Sequence, residues 1–584
     1  MSGLKKIIAR HWWVIIAALL IGWFTYWPQV AVEKKLGPAY QGVTKSFIDD
    51  DLYYLMRGKE VIDGQPTLAN PCLVEHKNGL PMQFWLPDYL LSKPLAIFGV
   101  GVDQGYDFYA LLLPMIAVLL TYSAIYGLVG SRKLALAGAL FLQAILFFKL
   151  GGRLPSPGLN FIFWLTLFNL LIVYLKTDKK LCGVLAALNL GLLFYIYPYY
   201  WTWFVIFLVL FMIGGKIWLP DFKLFILQTR RIGGEGGKNY LYILLGALLI
   251  GARYFWELWQ SFKLASYDET VTRLGLLNTH FPSGLKIVIL AVLLGILLLW
   301  LLRKKIIALN AFFILLMAGV MASLMAVNQH VITGQNLEFS SHYWQVSAFI
   351  FVFTLIYCLQ FILYRITELK SRKITRTILM WLLIGWSSIV IWQTVRTTSA
   401  IEPVDKYRQT YAPVFTWLNA QTQKESVIYA NQDLSVYLPI YTANNVYYNQ
   451  TCTLFFMTDA EVQERFAVSK YFDPLDEEGI LKYERSIWGT RYINEYAHNQ
   501  SKNKLRKIFW LKLVAYEKIP AAEIGRIKGL FEDIKKTDFE IVLKKYRVDY
   551  LLWDKNSDPL WQPDRFDFLD EVYNEGNFII YGVN

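Results

Sequence analysis

The sequence predicts a polytopic α-helical membrane protein of about 11 spans that carries a C-terminal extracytoplasmic α/β domain. Two features of its composition indicate this fold class. Of the 584 residues, 55% are hydrophobic and only 18% are charged, whereas soluble chains carry about 25% charged residues. The long apolar runs are confined to residues 1–396. We therefore expect a transmembrane domain over 1–396 and a separate α/β domain over 397–584.

The first predicted span is the apolar run at 12–31, which is long enough to cross about 30 Å of hydrocarbon. Lys5, Lys6 and Arg10 precede it, so the positive-inside rule places the N-terminus in the cytoplasm. A cleaved signal peptide is the alternative. We favour an uncleaved span because the run is long, is flanked by tryptophans and lacks a small-x-small cleavage site.

Ten further apolar runs follow, and the loops between them alternate in charge. Every loop that would face the cytoplasm is basic, as at Arg132, Lys179 and Arg303. This alternation predicts eleven spans and a C-terminus outside the cytoplasm. Because the basic residues cluster in these loops, the net charge of +13 does not indicate a nucleic-acid partner. The ten runs lie at about 107–130, 134–150, 158–175, 181–197, 201–215, 239–257, 286–302, 306–327, 342–364 and 377–396.

The first long segment outside the membrane covers residues 32–106. Its part at 84–101 is apolar but is interrupted by Pro87, Asp88 and Pro94. We predict helices that lie on the membrane surface here rather than a span. A span at this position would reverse the orientation of every later loop and put the basic loops on the wrong face.

The C-terminal segment alternates short strand-like runs with helix-like stretches. The strand-like runs lie at 426–430, 548–554 and 577–583, and the helix-like stretches at 459–470 and 521–536. This alternation predicts a small α/β domain. The segment contains no nucleophile elbow, zinc-protease, P-loop or dinucleotide-binding signature.

The four cysteines are scattered and do not show the spacing of a structural zinc site. Cys182 and Cys358 fall in or beside apolar runs, where packing is the expected role. Cys72 and Cys452 lie on the same predicted side of the membrane, so a disulfide between them is one option.

Three consecutive carboxylates, Asp49, Asp50 and Asp51, follow the first span. One of them is in position to cap the helix predicted at 52–63, and a solvated acidic face is the plain alternative. Adjacent carboxylates repel each other, and their charge is costly beside a bilayer unless a cation or a donor is present. The cluster therefore points to a metal ion, a cationic partner or a base that deprotonates a hydroxyl.

The run Asp50-Asp51-Leu52-Tyr53-Tyr54, followed by Arg57, resembles the Asp-Glu-x-Tyr-Tyr motif in the first outer loop of GT-C glycosyltransferases. That superfamily includes protein O-mannosyltransferases, lipid A aminoarabinose transferases and oligosaccharyltransferases. The resemblance implies about a dozen spans, a polyprenyl-phosphate-linked donor and a first-loop aspartate that acts as base or metal ligand. Asp50 matches the family aspartate, Asp51 matches its acidic neighbour, and a shift of one residue onto Asp49 is the alternative.

Further candidate substrate-binding residues lie on predicted outer segments. Glu75 and His76 loosely resemble an acidic-His-Pro element of these transferases. Arg153 and Arg253 are candidates for a lipid phosphate, because a guanidinium fork matches phosphate geometry. The alternative for Arg153 is snorkelling to the interface, and for Arg253 it is a structural ion pair. Glu269 and His342 lie on two later outer loops.

An aromatic turn lies at 195–203, for which we favour a membrane-interface belt over a sugar-stacking role. In the C-terminal segment, Leu551-Leu552-Trp553-Asp554-Lys555 departs from the WWDYG motif of oligosaccharyltransferases. The resemblance therefore favours transfer of a single sugar over protein N-glycosylation.

We expect an inverting membrane glycosyltransferase that uses a polyprenyl-phosphate-linked sugar and a glycan, lipid or protein acceptor. Asp50, Asp51 or Asp49 would be the base, and Mg²⁺ or Mn²⁺ on Asp50 and Asp51 is an open option. A transporter or lipid flippase is the alternative, although no inverted repeat of broken spans is visible. A non-catalytic assembly scaffold is the third hypothesis. The expected substrate-binding residues are Tyr54, Arg57, Glu75, His76, Arg153, Arg253, Glu269 and His342.

Overall fold

The computed structural model describes residues 2–47, 50–81, 84–147, 153–177, 179–218, 236–336, 342–366 and 369–584. All eleven predicted apolar runs contain an α-helix. The α-helices that precede the C-terminal segment are α1 (Ser2–Leu36), α2 (Asp51–Ile62), α3 (Leu86–Phe98), α4 (Val102–Val129), α5 (Arg132–Leu142), α6 (Asn160–Thr177), α7 (Lys180–Leu193), α8 (Pro198–Trp218), α9 (Gly236–Ile250), α10 (Ala252–Ser261), α11 (Tyr267–Arg273), α12 (Leu285–Arg303), α13 (Ala311–Val327), α14 (His330–Thr333), α15 (Tyr343–Ile366) and α16 (Leu369–Thr398).

Eight helical segments among the described residues are long and apolar enough to cross a membrane. A ninth results if α9 and α10, which meet at an angle of 51°, form one broken span. The other two predicted spans contain shorter helices, since α5 has 11 residues and α7 has 14. Fourteen residues extend about 21 Å, which is less than the thickness of the hydrocarbon core. The fold is thus the predicted polytopic helical bundle, and the described residues contain fewer full-length spans than the predicted eleven.

Aromatic side chains fill the centre of the bundle. Trp164 and Trp203 are fully buried, and the Trp164 ring contacts those of Phe168 and Phe349. A helix that is apolar on all sides is expected to be surrounded either by other helices or by lipid. Exposed leucines and tryptophans on α1, α12 and α16 form the outside of the bundle, as expected for helices that face lipid.

The basic loops lie together at one end of the bundle. Arg132 donates to the backbone oxygen of Arg10 at 2.9 Å, and Lys133 donates to Thr377 at 2.7 Å. At the opposite end, Lys35 near the end of α1 donates to the backbone oxygen of Ser399 at 2.6 Å. We call the first end the basic face and the second, which carries the C-terminal segment, the domain face.

The first outer segment folds on the domain face. Helix α2 ends at Ile62, and Gly64 follows with φ of 109°, a conformation that suits glycine. Helix α3 covers the predicted surface stretch, and its 13 residues are too few to span the membrane. The two helices pack against each other through the buried pair Arg57–Asp88.

The C-terminal segment contains a five-stranded mixed sheet flanked by helices, in agreement with the predicted α/β domain. The strand order is β4–β3–β5–β7–β6, where β3 pairs in parallel with β4 and β5, and β7 pairs antiparallel with β5 and β6. A separate two-stranded pair is formed by β1 (Leu277–Asn278) and β2 (Gln335–Asn336). The sheet strands are β3 (Val427–Tyr429), β4 (Asn445–Val446), β5 (Tyr550–Asp554), β6 (Leu569–Glu575) and β7 (Phe578–Val583).

The helices of this segment follow the predicted pattern, and the predicted domain boundary at 396 and 397 remains a prediction. The stretch predicted at 459–470 forms a helix over 459–469, and the stretch at 521–536 is helical throughout. The helices are α17 (Pro403–Arg408), α18 (Ala412–Gln421), α19 (Gln432–Tyr441), α20 (Asp459–Ser469), α21 (Glu477–Lys482), α22 (Glu484–Trp488), α23 (Arg491–Ile508), α24 (Ala521–Lys536) and α25 (Phe539–Leu543).

The C-terminal segment sits directly on the first outer segment. One hydrophobic cluster contains Tyr53 and Leu91 from the first outer segment together with Leu434 and Phe578 from the C-terminal segment. A disulfide joins Cys72 to Cys452 across the same contact, as the sequence allowed. The two segments therefore form one body above the membrane helices.

Candidate active site

A cavity of about 690 Å³ lies where the domain face of the bundle meets the C-terminal segment. Helices α2 and α10, the start of α3 and the turn before α8 form its walls, and residues 450–456 and 485–490 form its roof. A volume of this size suits a small molecule or one end of a larger substrate. The polar or charged side chains that line it include Asp50, Tyr54, Arg57, Asp88, Arg153, Tyr197, Glu257, His342, Gln450 and Arg485.

Asp50 and Arg153 form an ion pair on the cavity wall. Arg153 Nη2 lies 3.0 Å from Asp50 Oδ2, and the same nitrogen is 3.4 Å from the Tyr54 hydroxyl oxygen. Asp50 occupies the N-cap position of α2 but its side chain makes no capping hydrogen bond. Its side chain is 45% exposed and the Arg153 side chain is 19% exposed. The cavity therefore holds an accessible carboxylate beside a guanidinium.

Asp51 faces a different part of the molecule. Its carboxylate accepts a hydrogen bond from the Phe47 backbone N–H at 2.8 Å. It lines a second cavity of about 100 Å³ among α1, α4 and α16, together with Tyr106 and Thr394. Consecutive helical residues point about 100° apart, which separates Asp51 from Asp50. The third candidate of the triplet, Asp49, lies outside the described residues.

Arg57 lines the cavity but is committed to structural contacts. Its guanidinium pairs with the fully buried Asp88 and donates to the Phe84 backbone oxygen at 2.7 Å and the Tyr53 hydroxyl at 3.1 Å. It also lies 5.5 Å from the centre of the Tyr54 ring. These contacts fix the tyrosines and join α2 to the start of α3.

His342 and Tyr197 form a hydrogen-bonded pair on the wall near Arg153. The Tyr197 hydroxyl lies 2.6 Å from His342 Nδ1. Burial, and secondly the positive charge of Arg153, lower the pKa of His342 to about 3. The imidazole is therefore neutral at physiological pH and offers hydrogen bonds rather than a positive charge.

The aromatic turn at 195–203 forms part of the cavity wall. Tyr195, Tyr197 and Tyr199 all line the cavity, and Tyr195 and Tyr199 are buried. The favoured sequence interpretation was a belt at the membrane interface, whereas these three rings face the protein interior. Tyr254 on α10 extends the aromatic wall, with its ring 6.1 Å from that of Tyr195.

The roof is fixed to the membrane part through α11. Arg273 is 1% exposed, donates to the Thr453 backbone oxygen at 2.8 Å and pairs with Asp459. Gly489 in the roof packs so closely that a Cβ atom there would lie 2.3 Å from the Arg273 backbone oxygen. Glycine is therefore required where the roof meets α11.

Arg485 is a roof residue that the sequence analysis did not select. Its backbone oxygen accepts from the Gly489 N–H at 3.0 Å, and its side chain lines the cavity without a hydrogen bond or ion pair to any of the described residues. Its location depends on the contact of Gly489 and Thr490 with Arg273 on α11, and it lies more than 300 residues after Arg153 along the chain. No local motif around it signals a site.

Three of the candidate residues dock the segments onto each other rather than line the cavity. Glu75 pairs with Arg465 at 3.1 Å, and His76 lies 3.0 Å from Glu461. Glu269 on α11 accepts a hydrogen bond from the backbone N–H of Asp459 at 2.5 Å. These contacts hold the C-terminal segment on the outer loops.

Arg253 also lies outside the cavity lining. It pairs with Glu257 one helical turn away at 2.7 Å, and its side chain is 61% exposed. Glu257 itself lines the cavity. This arrangement corresponds to the structural ion pair that the sequence left open.

A divalent cation has no evident ligand set in the part of the chain that the structure describes. No group of three or more His, Cys, Asp or Glu side chains there is arranged to hold a metal ion. Asp50 and Asp51, the two ligands expected from the sequence, face separate cavities. The pair of residues therefore does not fit a shared metal site.

Solved structures include 19 chains that are similar in fold to this one. The crystal structure of ArnT from Cupriavidus metallidurans bound to undecaprenyl phosphate is similar to this chain over 97% of both chains, with 12% sequence identity and a TM-score of 0.46. No protein-family model and no curated protein sequence matches the chain. At this identity and TM-score the similarity does not establish a family or an activity.

Proposed function

We propose that the chain is a membrane glycosyltransferase of the GT-C type that moves a sugar from a polyprenyl-phosphate-linked donor to an acceptor hydroxyl. The observation that carries the proposal is the Asp50–Arg153 ion pair in the cavity at the domain face. It sets a carboxylate that can accept a proton beside a cation that can bind phosphate. The resemblance of residues 50–57 to the GT-C first-loop motif supports the same assignment.

Asp50 is the proposed base. An ionised carboxylate accepts hydrogen bonds, so it can orient an acceptor hydroxyl and take its proton. The acceptor oxygen then bonds to the anomeric carbon, while the bond between that carbon and the phosphate oxygen breaks. The bond electrons leave with the polyprenyl phosphate, and the configuration at the anomeric carbon inverts.

Arg153 is the proposed phosphate-binding residue. The leaving phosphate gains a negative charge as the bond breaks, and a guanidinium that holds this charge favours the transition state. A donor phosphate on Arg153 would compete with Asp50 for the guanidinium. Donor binding would thus release the carboxylate to contact the acceptor.

The aromatic and neutral polar wall suits the sugar. Tyrosine rings provide flat apolar surfaces, and their hydroxyls can hydrogen-bond to the substrate. Tyr197 and the uncharged His342 lie on the same side of the cavity as Arg153. We propose that this wall positions the sugar and that Arg57, through Asp88, keeps α2 in place beneath it.

We further propose that the domain face is extracytoplasmic. Arg10, Arg132 and Lys133 lie together at the opposite end of the bundle, where the positive-inside rule places the cytoplasm. A transporter would instead need polar groups along a path that reaches both faces. The cavity residues that we assign to chemistry are gathered at the domain face, which favours an enzyme. A divalent cation remains a prediction without an assigned ligand set.

Transfer by the purified full chain in lipid nanodiscs tests the proposal. A panel of polyprenyl-phosphate-linked sugars is supplied with a membrane extract as acceptor source, and the release of polyprenyl phosphate is measured by mass spectrometry. We expect release with at least one donor, and release that is about 10²–10⁴-fold slower from a chain that carries Asp50→Asn. Equal release by the two chains, or donor movement across vesicle membranes without cleavage, would contradict the proposal.

A further inference from the structure

A hairpin in the C-terminal segment exposes an almost continuous apolar surface. It consists of residues 508–514, with the sequence Ile-Phe-Trp-Leu-Lys-Leu-Val, and we call it the apolar hairpin. All six of its apolar side chains are exposed, and Trp510 is 94% exposed. Soluble surfaces seldom expose so many large apolar side chains side by side, and such patches usually mark an interaction site.

Hydrogen bonds hold the hairpin in this shape. Asn503 on α23 donates to the backbone oxygen of Val514 at 2.7 Å and accepts from its backbone N–H at 3.0 Å. The backbone N–H of Leu511 donates to the Arg506 oxygen at 2.8 Å. The chain is therefore folded back onto α23 by polar contacts, while the apolar side chains point outwards.

Contacts of α23 place this helix beside the outer loop that leads into α12. The helix starts beside the cavity roof, where the Thr490 backbone N–H donates to the Arg273 oxygen at 2.8 Å. Further along, His498 lies 3.3 Å from Thr279 and its ring contacts that of Phe281. These contacts advance towards Leu285, the first residue of the α12 span.

The tip of α23 lies about 15 Å beyond His498, at a rise of 1.5 Å per residue. Leu285 is exposed at the lipid-facing start of α12, and Ile332 on α14 is also exposed. The apolar hairpin thus extends from a helix that already touches the loop leading into the membrane. The bilayer that α12 would enter is an apolar phase next to this loop.

The charges around the hairpin are of one sign. Five basic residues lie between positions 502 and 512, and no acidic residue occurs between Glu495 and Glu517. Basic residues beside exposed aromatic and aliphatic side chains are typical of segments that bind the interface of anionic membranes. The basic residues are Lys502, Lys504, Arg506, Lys507 and Lys512.

We propose that the apolar hairpin inserts into the lipid leaflet at the domain face and that its basic residues bind anionic phospholipid headgroups. The C-terminal segment then has a second membrane attachment besides α16. This attachment holds α23, and with it the roof residues at 485–490, at a fixed height above the bundle. The proposal rests on the exposed surface and its charge and does not depend on the glycosyltransferase assignment.

Depth-dependent quenching tests the insertion. The full chain carries Cys182→Ala and Cys358→Ala, keeps the Cys72–Cys452 disulfide, and receives an environment-sensitive dye at Leu511→Cys. The matched control carries the dye at Ile541→Cys, an apolar position of similar exposure, 67%, on α25. In nanodiscs with nitroxide-labelled lipids we expect several-fold stronger quenching and a blue-shifted emission at position 511. Equal quenching at the two positions would overturn the proposal.

A second experiment tests whether the basic residues beside the hairpin bind anionic headgroups. Quenching at position 511 is compared in nanodiscs with and without phosphatidylglycerol, in the parent chain and in a chain with Lys502→Gln, Lys504→Gln and Lys507→Gln. We expect anionic lipid to increase the quenching in the parent and to have less effect in the triple variant. If the blue shift of the dye emission depended on the number of chains per disc and not on the lipid, the hairpin would bind a second copy of the chain and the proposal would be wrong.

Discussion

Asp50 and Asp51 are neighbours in the sequence, but only Asp50 faces the large cavity. The sequence could select the acidic triplet because carboxylates beside a bilayer are costly. It could not choose among the three, because the choice depends on how the start of α2 is rotated against its surroundings. Asp51 instead holds the preceding turn through the Phe47 backbone.

Arg153 lines the large cavity, whereas Arg253 lies outside it. Both are arginines near the outer end of an apolar run, so composition alone does not separate them. Arg253 has Glu257 one turn later on the same helix, and this spacing is a local sign of an ion pair.

Replacing Arg153 is expected to weaken donor use more than it weakens folding. Arg153→Gln removes the cation that we assign to phosphate, so KM for the lipid donor should rise at least about tenfold, as expected for the loss of a charge-assisted contact. Arg153→Lys keeps the charge without the planar fork, so its KM for the lipid donor should lie between that of the parent chain and that of Arg153→Gln. Steady-state kinetics at saturating acceptor measure this, and an unchanged KM in both variants would exclude the role.

His342 should make stability depend on pH. Its pKa in the folded chain is lowered to about 3 from an ordinary value near 6.5, so the unfolded state binds more protons between these values. Above about pH 6.5 the titration of His342 does not lower the free energy of unfolding. As the pH drops from there towards 3, the free energy of unfolding falls by up to about 1.4 kcal/mol per pH unit. Thermal midpoints of the parent and of His342→Gln should converge on acidification. A constant difference between them across this range would show that His342 does not titrate in this way.

At the scale of elements, the sequence predicted most helices and the main strands. From alternation and turn signals it predicted β3, β5 and β7 and two of the C-terminal helices, α20 and α24. It overestimated the full-length spans, because hydropathy cannot register that α7 has only 14 helical residues or that α9 and α10 meet at 51°. The turn that follows α7 and the helix α10 both contribute residues to the cavity wall.

The packing of α2 on α3 depends on the buried Arg57–Asp88 pair. Arg57→Ala would leave the Asp88 carboxylate buried without its cation, which costs about 3–5 kcal/mol. Lys59→Ala on the same helix breaks the more exposed pair with Asp63 and should cost under about 1 kcal/mol. Thermal unfolding in detergent compares the two variants. Equal losses of stability would contradict this account of α2.

The cavity as a whole could not be predicted from the sequence. Its roof comes from residues 450–456 and 485–490, and its walls from segments up to several hundred residues earlier. Glu75, His76 and Glu269 lie on the predicted outer segments, but they hold those segments to the C-terminal part. A polar residue on a loop is equally compatible with binding and with docking until the partner surface is known.

The disulfide between Cys72 and Cys452 should stabilise the joint between the first outer segment and the C-terminal segment. A covalent link across 380 residues of chain restricts the unfolded state, and removing such a link typically costs about 2–5 kcal/mol. Cys452→Ser should therefore lower the thermal midpoint. Thiol titration of the denatured chain should find two reactive thiols before reduction, Cys182 and Cys358. Four reactive thiols before reduction would show that the link is absent.

The most direct test of the whole account compares single-turnover sugar transfer by Asp50→Asn and Asp51→Asn. The two substitutions are the same chemical change at adjacent positions, and they differ in the cavity that each residue faces. With a saturating polyprenyl-phosphate-linked donor, Asp50→Asn should reduce the rate by about 10²–10⁴-fold, while Asp51→Asn keeps most of it. A rate that is unchanged in Asp50→Asn, or lost only in Asp51→Asn, would contradict the assignment of the large cavity as the active site.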